Sequence, residues 1–171
     1  MLEADINKIV QERVSHWQEQ YKEHFPATED LALIILKGHL LIEQQITALI
    51  SHYCHSPTHV PDIRLSFSQK VSLSRALLTV SLPEYFWKVV DIINRLRNDL
   101  AHSLKPPKLQ QHLQEAKKVA IEIAKMKNST TSPSKLKTDE IVIVYLISYT
   151  HGLLSGIDSF IAVMEKQKRH A

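Results

Sequence analysis

Just past the midpoint of the chain, Arg97, Asn98, Asp99 and His102 carry side chains that could handle a phosphate group. Projected on a helix at 100° per residue, Asn94, Asn98 and His102 fall in one row, and Asp91 continues it one turn earlier. Arg97 stands four residues after Ile93 and three before Leu100. It therefore sits at the border of an apolar stripe made by Phe86, Val89, Val90, Ile93, Leu96 and Leu100. A guanidinium is permanently charged and forks onto phosphate oxygens. An imidazole titrates near neutral pH and can move a proton, and an amide beside it can hold either the ring or the phosphate. Asp99, four after Arg95 and three before His102, can pair with Arg95 or orient the His102 ring. The plainer alternative is that Arg97 pairs with a buried acid and His102 caps the helix C-terminus.

The remaining reactive side chains point to less. His52, Cys54, His55 and His59 cluster, but their spacing fits no common zinc pattern, and an ordinary His-rich loop is expected. With Gly38, Gly152 and Gly156 as its only glycines, the chain has no glycine-rich phosphate loop. Cys54 is the single cysteine and has no pairing partner within the chain. The few aromatics lie mostly at core spacing, so no base-stacking platform is indicated. No metal and no cofactor is expected.

The elements that position these residues are helices. Apolar residues recur at helical spacing over about 2–24, 29–53, 67–80, 83–103, 107–127 and 138–168. In the first helix the apolar row is Ile6, Ile9, Val10, Val14, Trp17 and Tyr21. Thr28 is the expected N-cap of the second and Ser81 of the fourth, with Pro83 in the first turn, where proline is tolerated. The second helix is apolar on most sides and should be central. Glu43 lies in phase with Leu36, His39, Leu40, Ile46 and Ile50. A carboxylate there needs a partner, and Arg95 or Arg97 is the expected one; His39 reads as a core histidine. The polar stretch at about 128–137 reads as a flexible linker to the last helix. In that helix, residues 141–164 are long enough to span a bilayer, but Asp158, His151 and several hydroxyls favour a buried helix in a soluble protein. Ser148, Gly152, Ser155, Gly156 and Ser159 form a small-residue stripe suited to close helix contact.

The expectation is a single all-α domain over 1–171, an up-and-down bundle of five to six helices. Its core covers about 29–127 and its C-terminal helix about 138–168. Net charge is +3, unevenly spread: between Lys105 and Lys137 stand eight lysines against two acids, Glu115 and Glu122. That asymmetry suits an anionic partner such as nucleic acid, although a solvated helix face gives the same pattern. The N-terminus carries early acids and no basic-then-apolar run, so a cytoplasmic protein without a signal peptide is expected.

The run from Asn94 to His102, Asn-Arg-Leu-Arg-Asn-Asp-Leu-Ala-His, resembles the signature of the HEPN superfamily, small helical domains with an arginine, a polar residue, a few spacers and a histidine. Arg97 matches the motif arginine, Asn98 the polar residue and His102 the histidine, with four residues between the first and the last. Segment 37–46, KGHLLIEQQI, resembles the small-residue-then-acid pattern of a helix in related bacterial proteins, and 65–73, LSFSQKVSL, is similar as well. The resemblance covers about 29–127.

The resemblance implies a HEPN-like bundle and a metal-independent endoribonuclease. It would work as a homodimer in which two copies of the motif share one composite site. The RNA 2′-hydroxyl attacks the adjacent phosphate, with His102 as general base or acid, Arg97 stabilising the transition state and Asn98 orienting ring or phosphate. Asn94, Arg95, Asp99 and Glu43 would support the site, and Lys105 and Lys108 would contact RNA. A toxin or phage-defence role, with a protein antitoxin or regulator as a further partner, is part of the same expectation. No membrane partner is expected. Some relatives in the superfamily are non-catalytic, so a regulatory or scaffolding dimer is the alternative.

Overall fold

The computed structural model describes residues 3–103, 105–126 and 131–169. The fold is all-α. Six helices run in chain order: α1 Glu3–His24, α2 Leu31–His52, α3 Phe67–Leu77, α4 Glu84–His102, α5 Leu109–Ala124 and α6 Asp139–Arg169, with no strand among the described residues. Short 3-10 turns at Pro57–Asp62 and Pro133–Lys135 punctuate the connections. The chain forms two compact units. One comprises 1–25, 41–80 and 151–171, the other 26–40 and 81–150, so α2 and α6 each contribute to both.

The second unit holds α4 and α5. Along α4, Phe86, Trp87, Val89, Val90, Ile92, Ile93 and Leu96 are buried, a wider stripe than the one read from the sequence, while Leu100 is only half-buried. Each such side chain contributes about 1.5–3 kcal/mol when fully removed from water. α5 packs against α4. It buries Leu113, Ala116, Val119, Ala120 and Ile123 at intervals of three and four, and the alanines let the helix axes approach. Gly38 of α2 is likewise an approach point: a Cβ there would overlap Ile147 Cδ1 and stand 2.8 Å from its Cγ1.

Two expected caps are corrected. Asp30, not Thr28, caps α2: its Oδ1 accepts from the backbone N–H of Ala32 (2.9 Å) and Leu33 (3.1 Å), while Thr28 Oγ1 accepts from the N–H of Asp30. Pro83 occupies the N-cap of α4 with no side-chain cap bond, so Ser81 plays no such part; a proline there leaves one fewer N–H to satisfy. The expected linker at about 128–137 is described from residue 131 onward. Residues 128–130 lie outside the described residues, as does Lys127 at the expected end of the fifth helix. Pro133–Lys135 nevertheless coils into a turn against α5, and Leu136 is buried. One apolar side chain in a polar run anchors that stretch.

In the first unit, Leu41, Ile42, Ile46, Leu49 and Ile50 of α2 and Leu154, Ile157 and Ile161 of α6 are buried. α3 opens with a capping box: Ser66 Oγ accepts from the Gln69 N–H, and Gln69 Oε1 accepts from the Ser66 N–H. Of the apolar row on α1, only Trp17 is buried, and Val10 is exposed. The small-residue stripe on α6 divides between two faces. Ser155 and Ser159 are buried, whereas Ser148, Gly152 and Gly156 are exposed, with open space beside both glycines. α2 and α6 are long and apolar enough to cross a membrane by length and composition, and about half of each apolar window is buried within the protein.

Candidate functional site

The last two turns of α4 present the candidate residues in graded exposure. Asn94, Arg95, Arg97, Asn98 and Asp99 are half-buried, and His102 is exposed. The gradation follows from the helix. Its apolar stripe is sealed through Leu96, and the chain then runs out of core as it approaches Ser103, whose extended backbone ends the helix.

The two arginines have different fates. Arg95 is neutralised: Nε donates to Asp91 Oδ2 and Nη1 to Glu115 Oε2 on α5, both at 2.9 Å. The Glu115 carboxylate holds Arg95 above its ordinary value, and Arg95 in turn holds Glu115 below the usual carboxylate range. Arg97 makes one described polar contact, from Nη1 to the neutral Asn98 Oδ1 at 3.1 Å, and no carboxylate among the described residues pairs with it. The pairing with a buried acid weighed for Arg97 is not seen among the described residues, and the ion pairs on this helix end fall to Arg95, with an exposed and a half-buried acid.

Asp99 departs from both of its expected partners. Its Oδ2 accepts from His112 Nδ1 at 2.6 Å, and His112 is buried in the first turn of α5. Asp99 is therefore turned toward α5 rather than toward Arg95 or His102. His102 has no hydrogen-bond or ion-pair partner among the described residues. In the turn that follows, Ser103 Oγ accepts from the Lys105 N–H at 3.1 Å, and the side chains of Lys105 and Lys108 are exposed.

Glu43 belongs to the other unit. There it accepts from Lys70, with Nζ to Oε1 at 2.8 Å, and the expected Arg95 and Arg97 make the contacts given above. The third helix brings a lysine to it that the periodicity of the second helix alone does not reveal. His39 is buried.

The His-rich segment is not one cluster. Cys54 Sγ donates to the Ile50 carbonyl, His59 faces Asp62, and no group of three described residues could hold a metal. His52 instead joins a buried network that the sequence reading missed. Asp158 of α6 is 1% exposed. It accepts from Trp17 Nε1 (3.0 Å) and His52 Nε2 (2.8 Å), with Arg13 at 3.7 Å. His52 Nδ1 meets Glu165 Oε1 at 3.2 Å. The bond to Asp158, opposed by burial and aided by Glu165, raises His52 above its ordinary value. Burial works against the Asp158 charge, but the bonds from His52 and Trp17 overcome it and hold Asp158 below the usual carboxylate range. Close by, His151 lies against the rings of Trp17 and Tyr21, and burial pushes it down to about 4. The available signal was Asp158 itself, a single acid inside the apolar span of the last helix.

What the end of α4 can do chemically is bind an anion at a guanidinium that no carboxylate among the described residues neutralises, with an imidazole open to solvent five residues further along the helix. Comparison with protein-family models, with curated proteins and with solved structures returned no match to this chain.

Proposed function

We propose that this protein is an endoribonuclease of the HEPN type, with Arg97 and His102 as its working pair. The observation that carries this reading is the contrast between neighbouring arginines. Arg95 is consumed by Asp91 and Glu115, while Arg97 keeps its charge available and His102, five residues on, is exposed. An uncompensated guanidinium at the edge of a core costs stability unless an anion uses it.

In the proposed reaction the 2′-hydroxyl oxygen of RNA attacks the adjacent phosphorus. A neutral His102 accepts the hydroxyl proton, the bond from phosphorus to the 5′-oxygen breaks, and that oxygen leaves with a proton from the protonated His102 of a second copy. The products are a 2′,3′-cyclic phosphate and a 5′-hydroxyl. Arg97 stabilises the charge that builds on the phosphoryl oxygens, and Asn98 holds the guanidinium in place. DNA, lacking the 2′-hydroxyl, is not cut by this route. Lys105 and Lys108 steer the RNA backbone toward the helix end.

The test is incubation of purified protein with RNA in excess chelator and analysis of the product ends. Cyclic-phosphate ends are expected from the wild type. His102→Ala and Arg97→Ala should each lower the rate by about 10²-fold or more. Full activity in His102→Ala ends the assignment. An inert wild-type protein that still forms a tight dimer belongs to the regulatory-module alternative.

A further inference from the structure

Asp99 and His102 are three residues apart on one helix, within mutual reach. A carboxylate on that imidazole would favour its charged form and would set a negative charge where a phosphate must come. Yet Asp99 Oδ2 is held at 2.6 Å by His112 Nδ1, on a ring that is itself buried in the first turn of α5. The same bond bridges the turn that follows His102, tying the last turn of α4 to the start of α5. Of the other charged groups on these two helix ends, Arg97 contacts the neutral Asn98. Asp91 and Glu115 are bound to Arg95, and Lys105 and Lys108 are exposed cations.

We propose that His112 is a positioning residue for this site: it fastens Asp99 to α5 and so keeps a carboxylate away from His102. The functional weight of the proposal rests on the reading of His102 as a proton-transfer group, but the arrangement can be observed at His102 directly.

The experiment follows the titration of the His102 ring by NMR in the folded protein. In His112→Leu, which fills the space but cannot donate, Asp99 is released to its helical neighbour. The His102 midpoint should then rise by about half a pH unit or more. In His112→Gln, whose amide still donates to Asp99, it should stay at the wild-type value. Adding Asp99→Asn to His112→Leu should return it there. An unchanged midpoint in folded His112→Leu overturns the proposal. Should that variant lack a cooperative melt, Asp99→Asn alone decides. Because the carboxylate is already turned away, the midpoint should not move, and a clear fall means Asp99 faces His102 after all. Loss of the catalytic reading, seen as full RNA cleavage by His102→Ala, leaves this comparison intact, so the two can fail separately.

Discussion

At the level of single residues, Arg95 and Arg97 offer opposite experiments two positions apart. Arg95→Ala breaks two ion pairs, one of them to α5. Both are partly exposed, so the expected loss is about 1 kcal/mol of stability, with cleavage by the folded fraction retained within several-fold. Arg97→Ala removes a contact to a neutral amide, so the thermal midpoint should hold or rise slightly while cleavage collapses. Thermal melts beside RNA cleavage rates check both, and matching losses in the two variants would remove the distinction drawn between them. The spacing of Asn94, Asn98 and His102 was legible from the sequence because helical period alone sets a row on one helix. Which carboxylate each cation takes was not. His112 stands 13 residues from Asp99 and Glu115 stands 20 from Arg95, and only the packing of α5 on α4 brings them within reach.

At the level of elements, the six helices were readable because each carries apolar residues at a 3.6-residue period between prolines and polar runs. Their edges were less so. Thr28 and Asp30 both have oxygen-bearing side chains before α2, and the choice between them depends on where the chain turns into the helix. The stretch before α6 shows a different limit: a lone leucine in a polar run gives no period, yet Leu136 is buried. Contact between elements also gives a glycine its role. Gly38 lies where Ile147 presses on the α2 backbone, so Gly38→Ala should destabilise by about 1–3 kcal/mol despite alanine's better helix propensity. Denaturant unfolding measures it. Shortening the neighbour, Ile147→Val or Ile147→Ala in the Gly38→Ala background, should recover part of the loss, and a stabilised single variant would contradict the packing described.

At the level of the whole molecule, stability should depend on pH on both sides of neutrality, through the unit that contains Asp158. His151 is buried neutral and held down to about 4, so its contribution is full above about pH 6.5 and is lost as the pH falls toward 4. That loss amounts to up to about 3 kcal/mol. Asp158, held below its ordinary value, adds to the acid limb: its contribution is present above the usual carboxylate range and is lost as pH falls through its lowered folded value. His52 works in the other direction. Raised by Asp158, it contributes fully below about pH 6.5, and the contribution disappears as pH rises through its folded value. The melting temperature should therefore peak near pH 6.5. His151→Phe should flatten the acid limb and His52→Gln the alkaline one. A wild-type melting temperature constant from pH 5 to 8 would falsify the assignment of these charges.

The buried carboxylate of Asp158 also bears on how the chain is made. A ribosome delivers α1 and α2 before α6, so the indole of Trp17 and the imidazole of His52 are already present when this acid emerges. The newborn helix thus meets, as it emerges, two polar partners already made for the one acid inside its apolar span, and its docking can begin from that side chain.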